Sequence, residues 1–312
     1  MTDSTSAPPR ATAADFHPEV LRLFDRYVHG ALDRRGFLEG AAKFAAGGTT
    51  AAGLLAALSP NFAAAEQIAR TDPRIDARTV EFPSPQGYGT GRGYLVRPAS
   101  APPPGGAAVP TRGLPTVLVI HENRGLNPHI EDIARRLAVD NFIAFAPDAL
   151  FPLGGYPGDE DKAREMFSRL DDAKVREDLL AAARYVEGVP GGNGKLGVVG
   201  FCWGGSMANF LATRLPGLGA AVPFYGAAPA TESVAAIRAP LLLVFADKDE
   251  NVNRTWPAYE AALKAAGKRY EMHRYPGTQH GFNNDTTPRF DAAAAGHAWQ
   301  RTLAFFNSNL RG

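Results

Sequence analysis

The chain has 312 residues, with 33 Lys and Arg against 32 Asp and Glu and 45% hydrophobic residues. A formal charge of +1 without any basic block excludes nucleic-acid binding as an electrostatic role. No stretch reaches the roughly 18 uncharged apolar residues of a membrane-spanning helix, so no stable membrane anchor is expected. A single cysteine excludes an internal disulfide, a CxxC redox pair and any multi-cysteine zinc site.

The first 65 residues differ from the rest. Asp33-Arg34-Arg35-Gly36-Phe37-Leu38 precedes an Ala/Gly-rich stretch over 41–58 that ends near Ala63-Ala64-Ala65. That order predicts a twin-arginine export signal, cleaved before Glu66, with a periplasmic or secreted protein and the export machinery as a partner. The competing expectation is an amphipathic N-terminal helix retained by a cytoplasmic protein. Processing leaves residues 66–312, a size suited to one α/β domain.

Beyond Glu66, short apolar runs alternate with longer amphipathic stretches, the pattern of strand and helix in a mostly parallel, doubly wound sheet covered by helices. An antiparallel hairpin is expected from 79–82 and 93–96, then a Pro/Ala/Gly loop over 98–113. Strands are expected at 116–122, 142–148, 195–202, 219–225, 240–247 and 269–275. Runs such as TVLVI and PLLLVFA are apolar throughout, as strands buried on both faces are. Helices are expected at 128–140, 160–187, 203–215, 255–266 and 290–310.

The lone Cys202 sits in GVVGFCWGGS, where the third strand of this series ends and a helix begins. Gly200 and Gly204 flank it in a G-x-C-x-G pattern, the nucleophile elbow with Cys in place of Ser. The following helix N-terminus favours thiolate, and the Trp203 N–H is aimed at a developing oxyanion. A thiol nucleophile needs a base and the base an orienting acid, in the chain order acid then His. Asp249 in FADKDENVN and His280 in PGTQHGF meet that order, each just past a strand. Asp247, Glu250 and Asp285 are nearby competitors, and Asp249 is preferred because Val252 follows it by three residues. Glu122, in VIHENRG, ends the first strand of the parallel series on the same edge as Cys202. It is placed to hold the thiol's proton or to keep the resting thiol turned away, and the Asn123 N–H to complete an oxyanion hole. His121 faces the opposite side.

In their order, HENRG, GFCWGG, DENVN and QHGF resemble the dienelactone hydrolase family of α/β-hydrolases, over about residues 78–310. The resemblance implies a single-domain α/β-hydrolase fold and a Cys-His-Asp triad of Cys202, His280 and Asp249, with Glu122 regulating the thiol. It also implies an ester or lactone hydrolase that needs no metal and no cofactor, acting on a small molecule. Members that open dienelactones carry an arginine shortly after the catalytic His. Here no Arg follows His280 until Arg289, which leaves Arg124 and Arg164 as candidate carboxylate clamps from other loops and Phe282 as a candidate pocket residue. Trp203, Phe151, Tyr156 and Tyr225 are further aromatic candidates, a role that competes with plain core packing. Two other function classes compete: a non-catalytic small-molecule binding protein on a hydrolase scaffold, and a thiol redox sensor.

Overall fold

The computed structural model describes residues 11–45, 48–100 and 113–311. One eight-stranded sheet has the order β1-β2-β4-β3-β5-β6-β7-β8. Its strands are β1 Ile75–Ser84, β2 Gly89–Pro98, β3 Leu114–Ile120, β4 Ile143–Pro147, β5 Gly192–Phe201, β6 Ala220–Phe224, β7 Leu241–Ala246 and β8 Tyr270–Tyr275. β1 and β2 pair antiparallel in a hairpin, and β2 joins β4 antiparallel. From β4 through β3 to β8 every pairing is parallel. The expected doubly wound architecture is therefore the observed one. The loop expected over 98–113 lies mostly outside the described residues.

Alternation along the strands divides two cores, because successive side chains leave a strand on opposite faces. Leu118, Ile120 and Val198 join one core under α7 Asp172–Glu187 and α8 Trp203–Arg214. Val117, Val119 and Val199 join the other, with residues of α5 Pro128–Val139 and α11 Ala292–Leu310. α9 Glu250–Asn253 and α10 Trp256–Ala265 follow β7. The expected helix over 160–187 is two helices, α6 Glu160–Phe167 and α7, because Asp171 leaves helical geometry to cap α7, accepting from the N–H groups of Ala173 and Lys174. Such a cap satisfies donors that a continuous helix would leave no room to expose.

The N-terminal residues form α1 Pro18–Val28, α2 Arg34–Ala41, α3 Ala51–Leu58 and α4 Phe62–Ala65. Val20, Phe24, Phe37, Ala41, Leu55 and Leu58 share a small core of their own. Arg34 and Arg35 are the first residues of α2, capped by Asp33. Arg34 pairs with Asp161 at 3.1 Å and Arg35 with Glu39 at 2.9 Å. Among the described residues no helix is long and apolar enough to cross a membrane.

Candidate active site

The sharp turn after β5 puts Cys202 in a left-handed conformation, φ 56° and ψ −115°. That costs an ordinary residue on the order of 1–3 kcal/mol and persists where the surroundings over-determine it. Here the Cys202 N–H donates to the Phe224 carbonyl at 3.1 Å and the Cys202 carbonyl accepts from the Ser206 N–H at 3.1 Å. A Cβ on Gly200 would meet the Gly204 carbonyl oxygen at 1.9 Å, and one on Gly204 would meet the Ile120 oxygen at 2.3 Å. The glycines thus let β5 and α8 approach closely enough to raise the thiol over the sheet edge. Trp203 opens α8, so its N–H has no acceptor within the helix.

Asp249 and His280 meet below the thiol. His280 Nδ1 lies 2.5 Å from Asp249 Oδ2, both residues being buried. Asp249 Oδ1 also accepts from the Val252 N–H at 3.2 Å, capping α9, so one carboxylate orients the imidazole and fixes its own loop. Asp247 turns outward to accept from the Gly277 N–H, and Asp285 joins a separate network with His129, Arg136 and Gln67. The acid nearest the histidine is therefore the one that the Val252 spacing favours. Burial alone would raise the Cys202 thiol, but the His280 imidazolium outweighs it, with further hydrogen bonds from His280 and His29, and holds the group down to about 6. Burial likewise pushes His280 down, and the Cys202 thiolate and Asp249 carboxylate together lift it well above its ordinary value.

The sequence reading misses two residues of this site, Asp25 and His29. His29, just past the end of α1, reaches over the sheet edge so that Nε2 lies 3.6 Å from Cys202 Sγ and 3.2 Å from His280 Nε2. Its Nδ1 meets the Asp25 backbone carbonyl at 2.8 Å, with Asp25 Oδ1 at 3.3 Å. Burial lowers the His29 imidazole, but the hydrogen bonds from Asp25 and Cys202 prevail and raise it to about 9. The signal available in the sequence was the acid and histidine four apart in an amphipathic helix.

Other contacts hold this turn in place. The carbonyl of Val28 accepts from Asn123 Nδ2 at 3.1 Å and Arg124 Nη2 at 3.0 Å, and that of Tyr27 accepts from Arg164 at 2.5 Å. The two arginines expected to clamp a substrate carboxylate thus hold backbone carbonyls of the N-terminal segment. Arg289 is buried beside them, its Nη1 3.6 Å from Asp25 Oδ1, and its Nε and Nη1 make no hydrogen bond.

Glu122 lies just past β3 and accepts from Asn284 Nδ2 at 3.0 Å, and no hydrogen bond joins it to Cys202 among the described residues. His121 faces away from the thiol as expected, stacked on Trp203 with ring centroids 5.4 Å apart. Phe282 requires a correction. It is fully buried between Tyr225 and Tyr275, so it belongs to the core and lines no pocket. Tyr225 is also fully buried, its ring 4.9 Å from that of His280, and forms a wall of the site rather than an open surface. Tyr156 bonds Glu160 at 2.8 Å, and Phe151 lies under Arg92.

The sequence profile of the dienelactone hydrolase family matches residues 104–310. The chain belongs to the dienelactone hydrolase family. A second profile, described as YqhI-like, matches residues 8–45, which include α1, α2 and His29. Among relatives, the "Putative hydrolase fragment YghX" of Escherichia coli (strain K12) is 49% identical over 122 residues, 39% of this chain and 97% of that one. The "Putative carboxymethylenebutenolidase" of the same strain is 33% identical over 208 residues, 62% of this chain and 76% of that one. A solved structure named "Putative Dienelactone Hydrolase", from Klebsiella pneumoniae subsp. pneumoniae, superposes with a TM-score of 0.63 at 29% identity, covering 74% of this chain and 98% of that one.

Proposed function

We propose that this hydrolase cleaves a carboxylic ester or lactone through a thioacyl-enzyme on Cys202. The observation that carries the reading is the short, buried contact between His280 and Asp249 beside a thiol held near pKa 6 in a strained elbow. Cys202 Sγ attacks the substrate carbonyl, and the bond to the alkoxide breaks as His280 donates its proton to the departing oxygen. Water then attacks the thioester, giving a proton back to His280 and releasing the acid. The N–H groups of Trp203 and Asn123 are assigned to the oxyanion. The ester or lactone class rests on the family and on the name of the Escherichia coli carboxymethylenebutenolidase.

Asp25 to His29 lie over the thiol, so admission of an ester requires that turn to move aside. Arg124, Arg164 and Arg289 then lose their contacts with it and face the entering molecule, which favours a substrate carrying a carboxylate. Hydrolysis of p-nitrophenyl acetate and of a dienelactone by the full chain, alongside Cys202→Ala, tests the reading. Turnover that disappears with the thiol supports it, and equal turnover by both proteins sinks it.

A further inference from the structure

The proposed ester chemistry uses one imidazole on the thiol, whereas the structure supplies two. Cys202 Sγ, His280 Nε2 and His29 Nε2 all lie within 4.8 Å of one another, with the edges to His29 at 3.2 and 3.6 Å. The separation of the two imidazole nitrogens requires explanation. His280 directs Nδ1 at the Asp249 carboxylate, and His29 directs Nδ1 at the Asp25 backbone carbonyl, 2.8 Å away, with the Asp25 carboxylate at 3.3 Å, so the two Nε2 atoms are left facing each other and the sulfur. When each Nδ1 holds the proton that its oxygen partner attracts, three lone-pair donors converge on one point. A tetrahedral zinc site with bonds of roughly 2.0–2.1 Å to nitrogen and about 2.3 Å to sulfur has donor-to-donor edges of roughly 3.3–3.6 Å. The two edges to His29 are close to that spacing, and the third, from Cys202 Sγ to His280 Nε2, is within 4.8 Å.

From this convergence we infer that Cys202, His280 and His29 form a binding site for Zn2+, with the Asp249 carboxylate orienting His280 and the Asp25 carbonyl, backed by its carboxylate, orienting His29. Carboxylate-held imidazoles are the usual supporting arrangement of a metal-ligating histidine. As zinc binds, the protons carried by the two Nε2 atoms and by any remaining thiol pass to solvent, and no oxidant or reductant is involved. The three donors leave a fourth position for water, and the His29 side chain, which keeps 30% of its surface exposed, marks the route by which an ion enters. One ligand comes from the N-terminal segment and two from the hydrolase domain. Zinc therefore ties α1 to the sheet edge and withholds the sulfur from any acyl group. The donor set stands on geometry alone and does not depend on the ester reading.

Co2+, a coloured substitute for Zn2+, tests the site in the full-length protein. Titration of metal-free protein is expected to develop a thiolate-to-cobalt charge-transfer band and tetrahedral visible bands at one equivalent, displaced by Zn2+. Cys202→Ser is expected to abolish the charge-transfer band. Asp25→Asn, which leaves all three donors and the Asp25 carbonyl in place, is expected to weaken affinity by up to about 10-fold, the lower end of the effect of losing a supporting group. His29→Gln is expected to weaken it more than Asp25→Asn. Absence of the band at millimolar Co2+, or a band of unchanged affinity in His29→Gln, overturns the inference. Circular dichroism of each variant confirms that the fold is retained. A protein that binds Co2+ in this way yet hydrolyses no ester under chelation refutes the proposed function and leaves the metal site standing.

Discussion

Asp249 performs two separable tasks, and substitutions that divide them give the sharpest check of the triad. Its Oδ2 orients His280 at 2.5 Å, and its Oδ1 caps α9 through the Val252 N–H at 3.2 Å. Asp249→Asn keeps a side chain that caps a helix about as well as Asp and removes the charge that stabilises the imidazolium. In a Ser-His-Asp triad the equivalent loss lowers kcat by about 10^4, so Asp249→Asn is expected to lower kcat between about 100-fold and 10^4-fold, or roughly 3 to 5 kcal/mol of barrier. The melting temperature should hardly move. Asp249→Ala removes the cap as well, which costs about 1 kcal/mol and, for a domain of this size, lowers the melting temperature by roughly 2–4 °C. Initial rates on p-nitrophenyl acetate and thermal melts, both under chelation, read the two tasks independently. If Asp249→Asn turned over within twofold of the parent, the acid would have no part in the chemistry and the triad assignment would fail.

Gly204→Ala forces a methyl group to within 2.3 Å of the Ile120 oxygen and 2.5 Å of the His121 oxygen, both backbone atoms that have little room to move. Overpacking of this kind costs about 1–3 kcal/mol or more, so the urea midpoint should fall markedly, and an unchanged midpoint would show that the elbow is looser than described. Asp285 gives a pH signature. Burial raises its carboxyl, but hydrogen bonding and charge from His129, then Arg136, hold it down to about 2 from 3.8. The folded value is depressed, so the group contributes its full stability, about 2 kcal/mol, above the unfolded value near 4 and loses it as pH falls through about 2. Denaturation of the parent and of Asp285→Asn should therefore differ most above pH 5 and converge toward pH 2. A gap that stays constant over that range contradicts the assignment.

The sheet, the elbow and the acid–histidine pair were legible because each leaves a local mark. Apolar runs bounded by turn residues gave the six strands from β3 to β8 within three residues of their observed ends and the hairpin strands within four, and two glycines at fixed spacing gave the elbow. Helix boundaries were less visible where a single aspartate, Asp171, ends one element and caps the next. Phe282 was misplaced because an aromatic residue near a catalytic histidine looks the same in sequence whether it faces a cleft or the core. Asp25 and His29 leave only an acid and a histidine four apart in an amphipathic helix, and that mark does not reveal their role, for a different reason. Their role depends on α1 lying across the sheet edge, a contact made between residues about 170 to 250 positions apart, and nothing local records it. The arginine pair at the start of α2 carries the export expectation, and processing before Glu66 would remove Asp25 and His29 from the site. Intact mass of the protein recovered from the cell, with or without residues 1–65, distinguishes a processed chain from one that keeps both.

The claim on which the rest depends is that Cys202 carries the acyl group. Quenching the full-length protein in acid during turnover of p-nitrophenyl acetate, followed by intact-mass measurement and peptide mapping, tests it directly. An acetyl group on the peptide containing Cys202, absent from Cys202→Ala, is the predicted result. Acetylation at another residue, or steady turnover by Cys202→Ala, would contradict it.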